Sequence, residues 1–202
     1  RPDIFFVGPE GQLRSNRAFC QCAGHYAIDA FVGATLQIDR YGNSSTAVVD
    51  RIGGFGGAPN IGCDPPGRRH SSEVWLKAGQ ESGMRASLIG DMPRGRRLVI
   101  QLLETKGPKG NDCFVDRLDA WELMKRAGLS LPPVMIYGDG VTHIVSETGI
   151  AHLIRCADLE ERQEAIKAVA GETDLGREIT PQRKDELRRK KIFQTPEDLG
   201  ID

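Results

Sequence analysis

The stretch Ile52-Gly53-Gly54-Phe55-Gly56-Gly57-Ala58-Pro59-Asn60-Ile61-Gly62 constrains this chain more than any other. Four of its glycines, at 53, 54, 56 and 57, fall directly behind the β-prone run Ser44 to Val49. Glycine is used this densely where backbone adopts positive φ or closely approaches something else. A row of backbone N–H groups without side chains also makes an anion or oxyanion site. The residues alone leave both readings open, a glycine-rich hairpin or bulge and a binding loop.

The common nucleotide loops fit poorly. From Gly54 the pattern is Gly-x-Gly-x-x-Pro, so Pro59 stands where the dinucleotide fingerprint needs its third small residue. No Gly-Lys-Ser/Thr follows, which excludes the phosphate loop of NTPases. Gly107-Pro108-Lys109-Gly110-Asn111-Asp112 lacks that hydroxyl too and reads as a turn. Weight shifts from a phosphate cradle to a backbone pocket for a carbonyl or thioester oxygen.

With 202 residues the chain can bury a full core. Its net charge of −1 provides no global basic field, so neither nucleic acid nor anionic lipid is an expected partner. No apolar run approaches the roughly 18 residues that span a bilayer. The chain opens on Arg1-Pro2-Asp3, without methionine or a signal-peptide pattern, and reads as a piece of something longer. Five cysteines at irregular positions argue for reduced thiols and a cytoplasmic location. Cys20 and Cys22 would point about 200° apart on a helix, and His25, His70, His143 and His152 have no zinc spacing with them. No metal is expected.

Asp3 to Val7 reads as a buried-type strand, and Ser15 as the cap of a helix over 16–27 carrying Phe19, Ala23 and Tyr26 on one face. Phe31 to Asp39 is the next strand, Tyr41-Gly42-Asn43 the turn, and Ser44 to Val49 its partner. The glycine loop follows this hairpin directly, and Asp64 to His70 is an irregular connection. Arg68 and Arg69 there are either an anion clamp or solvent-exposed loop charges. A strand is predicted over 97–104. A helix is predicted over 115–127, with Trp121 and Met124 in the core and Gly128 ending it. Val134 to Tyr137 and Thr142 to Val145 read as strands around the turn Gly138-Asp139-Gly140. Asp158 caps an amphipathic helix to Ala170.

From Thr180 the tail is strongly charged (Arg183, Lys184, Arg188, Arg189, Lys190, Lys191), the pattern of a solvated helix face or, more rarely, of a dock for an acidic partner. Alternating strands and helices place the chain in the α/β class, with an open sheet and flanking helices over 1–157 and a helical C-terminal extension over 158–202. No serine sits in a Gly-x-Ser-x-Gly elbow. Ser146, His143 and Asp139 make no triad, since His143 and Ser146 point to opposite faces of a strand.

The order of the motifs carries a resemblance. Leu36-Gln37-Ile38-Asp39-Arg40-Tyr41-Gly42-Asn43 comes first, then the loop Gly53 to Asn60, then Val145-Ser146-Glu147-Thr148-Gly149-Ile150-Ala151. This set resembles the CoA-transferase superfamily. Within it the chain is most similar to the malonate decarboxylase α-subunit family, through Gly54 to Asn60, Gly67-Arg68-Arg69-His70-Ser71 and Met135 to Asp139. The resemblance covers most of the chain. It implies a CoA-transferase-like sheet and a subunit much longer than this chain, of which this looks like the second of two related halves.

The activity so implied is exchange of acetyl for malonyl on a carrier protein's phosphopantetheine thioester, with malonate entering and acetate leaving. The arm is a dephospho-CoA derivative on an acyl carrier protein subunit, or CoA itself, and separate decarboxylase subunits of a multisubunit complex act afterwards. By the same resemblance Gly56 and Gly57 supply backbone oxyanion contacts, each worth on the order of 3 kcal/mol in comparable sites. Gly54, Phe55, Ala58, Pro59 and Asn60 line the thioester path, and Arg68 or Arg69 meets malonate's second carboxylate. Many relatives have Asp where this chain has Asn60.

Ser146-Glu147-Thr148-Gly149 resembles the superfamily's nucleophile motif in letters. It arrives after the glycine loop, however, and this marks Glu147 as a structural carboxylate more than a catalytic one. Rival readings are a citrate lyase α-type or other carboxylate CoA-transferase, and a non-catalytic half that binds carrier or CoA.

Overall fold

A computed structural model describes residues 30–53, 98–128 and 132–201. The strand expected over 3–7, the helix over 16–27, the glycine loop from Gly54 and the connection over 64–70 fall outside them.

Strand β1 (Ala30–Ala34) stops at Thr35-Leu36 and the chain resumes as β2 (Gln37–Asp39). The single strand expected over 31–39 is thus two. Thr35 N–H donates to the Leu102 carbonyl and Leu36 N–H to the Ser45 carbonyl, each at 3.0 Å. Adjacent residues therefore serve two different sheets. Tyr41-Gly42-Asn43 turns the chain as expected into β3 (Ser44–Ser45), antiparallel to β2 with Ile38 opposite Ser44. The partner strand is shorter than its β-prone run, because β4 (Ala47–Val48) turns at Val49-Asp50 and pairs with β5 (Arg51–Ile52).

The hairpin motif has a physical explanation. Asp39 Oδ1 accepts the N–H groups of Tyr41 and Asn43, and Oδ2 accepts Asn43 Nδ2, all at 3.0 Å. Burial raises the Asp39 carboxyl above the usual range while these bonds oppose the rise. Asn43 Oδ1 in turn accepts Gly138 N–H at 2.9 Å. A Cβ on Gly138 would collide with the Tyr41 carbonyl, so the two segments meet backbone to backbone.

Strand β6 (Leu98–Leu102) lies within the predicted span, and β7 (Phe114–Val115) runs parallel to β2. The helix expected over 115–127 is shorter, α1 (Ala120–Arg126). Phe114 and Val115 are held in the sheet opposite Ile38 and Asp39, and Gln37 Oε1 accepts Asp119 N–H at 3.0 Å. Trp121 and Met124 are half-buried and not in the core, and the Arg117 guanidinium lies 5.0 Å from the centre of the Trp121 ring. The strand expected over 134–137 is an irregular segment with one bridge, Ser44 opposite Ile136. A 3₁₀ turn at Gly138–Gly140 leads into β8 (His143–Ser146), and β9 (Gly149–Ala151) returns antiparallel to it.

Asp158 caps α2 (Leu159–Val169) by accepting Glu161 N–H at 2.8 Å, as expected. Thr180 caps α3 (Pro181–Arg189), and β10 (Phe193–Gln194) pairs with β9. The main sheet has the order β1-β6-β8-β9-β10, with β1, β6 and β8 mutually parallel and β9 antiparallel to both of its neighbours, β8 and β10. This is a mixed α/β fold with three α-helices among the described residues.

One core joins Val99 and Ile144 of the sheet to Ile166 and Val169 of α2, and extends to Ile38, Phe114 and Ile136. Leu187 and Phe193, from the charged tail, belong to the same core and are fully buried. The tail's cations are largely matched at home: Arg183 meets Glu186 at 2.7 Å, Arg188 meets Asp198 at 2.7 Å, and Lys190 meets Glu161 at 2.9 Å. Among the described residues no helix is long and apolar enough to cross a membrane.

Candidate functional site

The carboxyl ends of the parallel strands are where open α/β sheets place their ligands. Here β1, β6 and β8 end at a cavity of about 510 Å³. Ala34, Leu36, Leu102 and Val145 form an aliphatic wall, and Arg51, Glu104 and Lys106 bring charge to it. A smaller cavity of about 190 Å³ adjoins it past Gly107-Pro108 and shares Leu36, Arg51 and Cys113. Strand β5 carries Arg51 to this edge and is followed by Gly53, whose N–H donates to the Thr46 carbonyl at 2.6 Å. The glycine run therefore begins from a pinned point close to the cavity.

Most polar groups on this wall are engaged by the protein. The Lys106 ammonium is paired with Asp112, whose other oxygen accepts Asp174 N–H at 2.7 Å. The Thr35 hydroxyl donates to the Ser45 carbonyl at 2.8 Å, and the Ser146 hydroxyl to the Val169 carbonyl at 2.7 Å. Burial raises the Cys113 thiol, which keeps it protonated and a poor nucleophile. Arg51 has no ion pair among the described residues, and the carboxylate of its neighbour Asp50 is held by Lys109 at 3.1 Å.

Every residue of Ser146-Glu147-Thr148-Gly149 has a structural task. The Ser146 and Thr148 hydroxyls both donate to the Val169 carbonyl at 2.7 Å, satisfying one of the carbonyls left open at the end of α2. Glu147 accepts Thr105 N–H with Oε1 at 3.1 Å and Oε2 at 3.0 Å, and Oε1 also accepts the Thr105 hydroxyl. Gly149 has φ 142° and lies against the Gln194 carbonyl, where a Cβ has no room. His143 and Ser146 keep separate partners, His143 Nδ1 meeting the Thr142 hydroxyl at 2.9 Å.

Of the residues predicted for the site, Glu147 alone is described. Gly54, Phe55, Gly56, Gly57, Ala58, Pro59, Asn60, Arg68 and Arg69 lie outside the described residues. The sequence reading missed Arg51, Glu104 and Lys106, because each is a single charge in a mixed segment without a motif. For Arg51 one signal existed, its place two residues before the first glycine.

Comparison with known proteins gives consistent matches. The chain is 59% identical over 202 residues to the acetyl-S-ACP:malonate ACP transferase of Malonomonas rubra, covering all of this chain and 36% of that protein. It is 50% identical to the malonate decarboxylase α subunit of Acinetobacter baumannii, with a TM-score of 0.71, again over all of this chain and 37% of that one. A chain of the Pseudomonas malonate decarboxylase hetero-tetramer, solved in complex with malonate, is 51% identical at the same TM-score, with 36% of it covered. The chain thus spans a little over a third of the length of these relatives. The family model described as malonate decarboxylase, alpha subunit, transporter matches residues 1–202, and the chain belongs to that family.

Proposed function

We propose that this chain takes part in exchanging acetyl for malonyl on the phosphopantetheine thioester of an acyl carrier protein, within a cytoplasmic multisubunit malonate decarboxylase. The cavity at the ends of β1, β6 and β8, lined by Arg51 two residues before the first glycine of the run, is the observation that carries this reading. Its aliphatic wall suits a pantetheine arm, whether the dephospho-CoA derivative on a carrier or CoA, and the Arg51 guanidinium on its lining suits a carboxylate.

In this reading a malonate carboxylate attacks the acetyl thioester carbonyl and the thiolate leaves. The thiolate then attacks the malonyl carbonyl of the resulting anhydride, and acetate departs. Both attacks put negative charge on a former carbonyl oxygen. Backbone N–H groups at Gly56 and Gly57 stabilise it, with Gly54, Phe55, Ala58, Pro59 and Asn60 shaping the approach. Arg68 and Arg69 remain candidates for malonate's spare carboxylate. Glu147 holds the loop after β8 against the loop after β6 and acts by position, a role supported by its three bonds to Thr105.

The test is exchange in the assembled complex between labelled malonate and an acetyl-thioester carrier. Labelled malonyl-thioester with an equivalent of acetate supports the reading. Transfer to citrate in preference to malonate would assign the citrate lyase type, and binding of carrier with no transfer would leave a scaffold.

A further inference from the structure

We infer that Arg51 is the residue that distinguishes a malonyl from an acetyl group, by pairing with the free carboxylate of the acyl chain in the cavity beyond β6 and β8. The inference rests on the transferase reading for the identity of the acyl groups, and on four observations for the site.

First, Arg51 is among the residues that line both the larger and the smaller cavity. Second, the other cation on the larger wall, Lys106, is already neutralised by Asp112. Third, Asp50, the acid next to Arg51 in the chain, is occupied by Lys109 at 3.1 Å, and no carboxylate among the described residues reaches Arg51 within ion-pair distance. Among the described residues lining the two cavities, Arg51 is thus the cation left for a ligand. Fourth, Ile52 and Gly53 follow it directly, and Gly53 is tied to Thr46 at 2.6 Å. A carboxylate held on the guanidinium would lie near the start of the glycine run.

The charge count agrees. Malonate attached as a thioester keeps one carboxylate, whereas acetate so attached keeps none. One unpaired cation is therefore enough to separate them, and the planar fork of arginine suits a bidentate carboxylate. Glu104, on the same wall, sharpens the choice by repelling an acyl chain that places a carboxylate away from Arg51. The aliphatic part of the wall, Ala34, Leu36, Leu102 and Val145, offers acetyl and malonyl equal contact.

The test separates this site from the transfer reaction by measuring binding as well as turnover. Malonyl-pantetheine and acetyl-pantetheine are titrated calorimetrically into the assembled complex, with wild-type chain and with Arg51→Gln, Arg51→Lys, Arg68→Gln and Arg69→Gln. The wild type is expected to prefer malonyl-pantetheine by about 10- to 100-fold, the size of one charge-assisted pair. Arg51→Gln should erase that preference while acetyl-pantetheine binding stays within about 3-fold, and Arg51→Lys should keep part of it. A preference that survives Arg51→Gln, or that Arg68→Gln or Arg69→Gln erases instead, overturns the assignment, as does a wild type that binds both esters equally. A preference that depends on Arg51 in a complex with no acyl exchange would keep the site and sink the transferase reading. Exchange without that preference would do the reverse.

Discussion

Glu147 and Thr105 lock the two loops that leave β8 and β6, the carboxylate taking both the N–H and the hydroxyl of one threonine. This pairing supports a positioning role for Glu147. A carboxylate held by three bonds to one residue is oriented by the fold.

An acyl-thioester incubated with the assembled complex and then treated with borohydride should leave Glu147 unmodified. Peptide mass analysis checks this, because reduction turns a glutamyl-thioester into an alcohol. A reduced Glu147 would make it the nucleophile. Thr105→Val, which keeps the shape and removes the hydroxyl, should lower stability by about 1 kcal/mol in urea denaturation.

Gly57→Val should abolish exchange while unfolding remains cooperative. On the transfer reading proposed above, a β-branched side chain there would restrict φ and fill the path of the thioester arm. Near-normal turnover would reduce the glycine run to a turn.

Gly138→Ala should destabilise the fold by roughly 2–4 kcal/mol, since the added carbon meets the Tyr41 carbonyl and backbone cannot yield as a side chain can. A shift in the urea midpoint measures it, and an unchanged midpoint would show that the hairpin and the 3₁₀ turn are not in contact.

Acid should weaken the fold through the pair His143 and His152, whose rings meet edge to face at 5.1 Å. Burial, then His152 and Arg155, lower His143 to about 4, and burial lowers His152 as well. The unfolded chain, where histidine titrates near 6.5, binds these protons more readily than the folded one. The fold therefore has its full stability above about pH 6.5 and loses it as pH falls toward 4. Urea midpoints across that range should fall less steeply in His143→Asn than in the wild type. Parallel curves would remove His143 from the account.

Phe193→Ala should cost about 3–5 kcal/mol, the usual result of emptying a fully buried aromatic site. The loss should appear in one cooperative transition, because Phe193 shares its core with Ile144 and Ile166. Two separated transitions would make residues 158–202 an independent unit.

Much of this was legible in the residues. Asp158 and the spacing after it predicted α2 to within a residue at either end, because cap chemistry and helical period agree there. The turn at Tyr41-Gly42-Asn43 was equally plain. What the sequence could not show was partnership. Val115 looks helical by period yet is claimed by Asp39, seventy-six positions earlier, across a parallel ladder. The tail from Thr180 reads by its charges as a solvated helix face, yet Phe193 within it belongs to a strand of the main sheet. Arg51 has no motif at all, and its interest comes from which neighbours are already paired, a property that exists only in three dimensions.

The pairing of β1 with β6 also has a kinetic consequence. These strands run parallel, Ala34 beside Leu102, although β1 ends at residue 34 and β6 begins at residue 98. The hairpin of β2 with β3 and the capped helix α2 close over a few residues, whereas this ladder must close across a long intervening chain before any contact repays the entropy. The wall carrying Ala34 and Leu102 should therefore be completed late in folding. In native-state hydrogen exchange, amides of β1 should open at a lower free energy than those of β8 and β9, which would give the cavity edge of the sheet its own low-cost breathing motion.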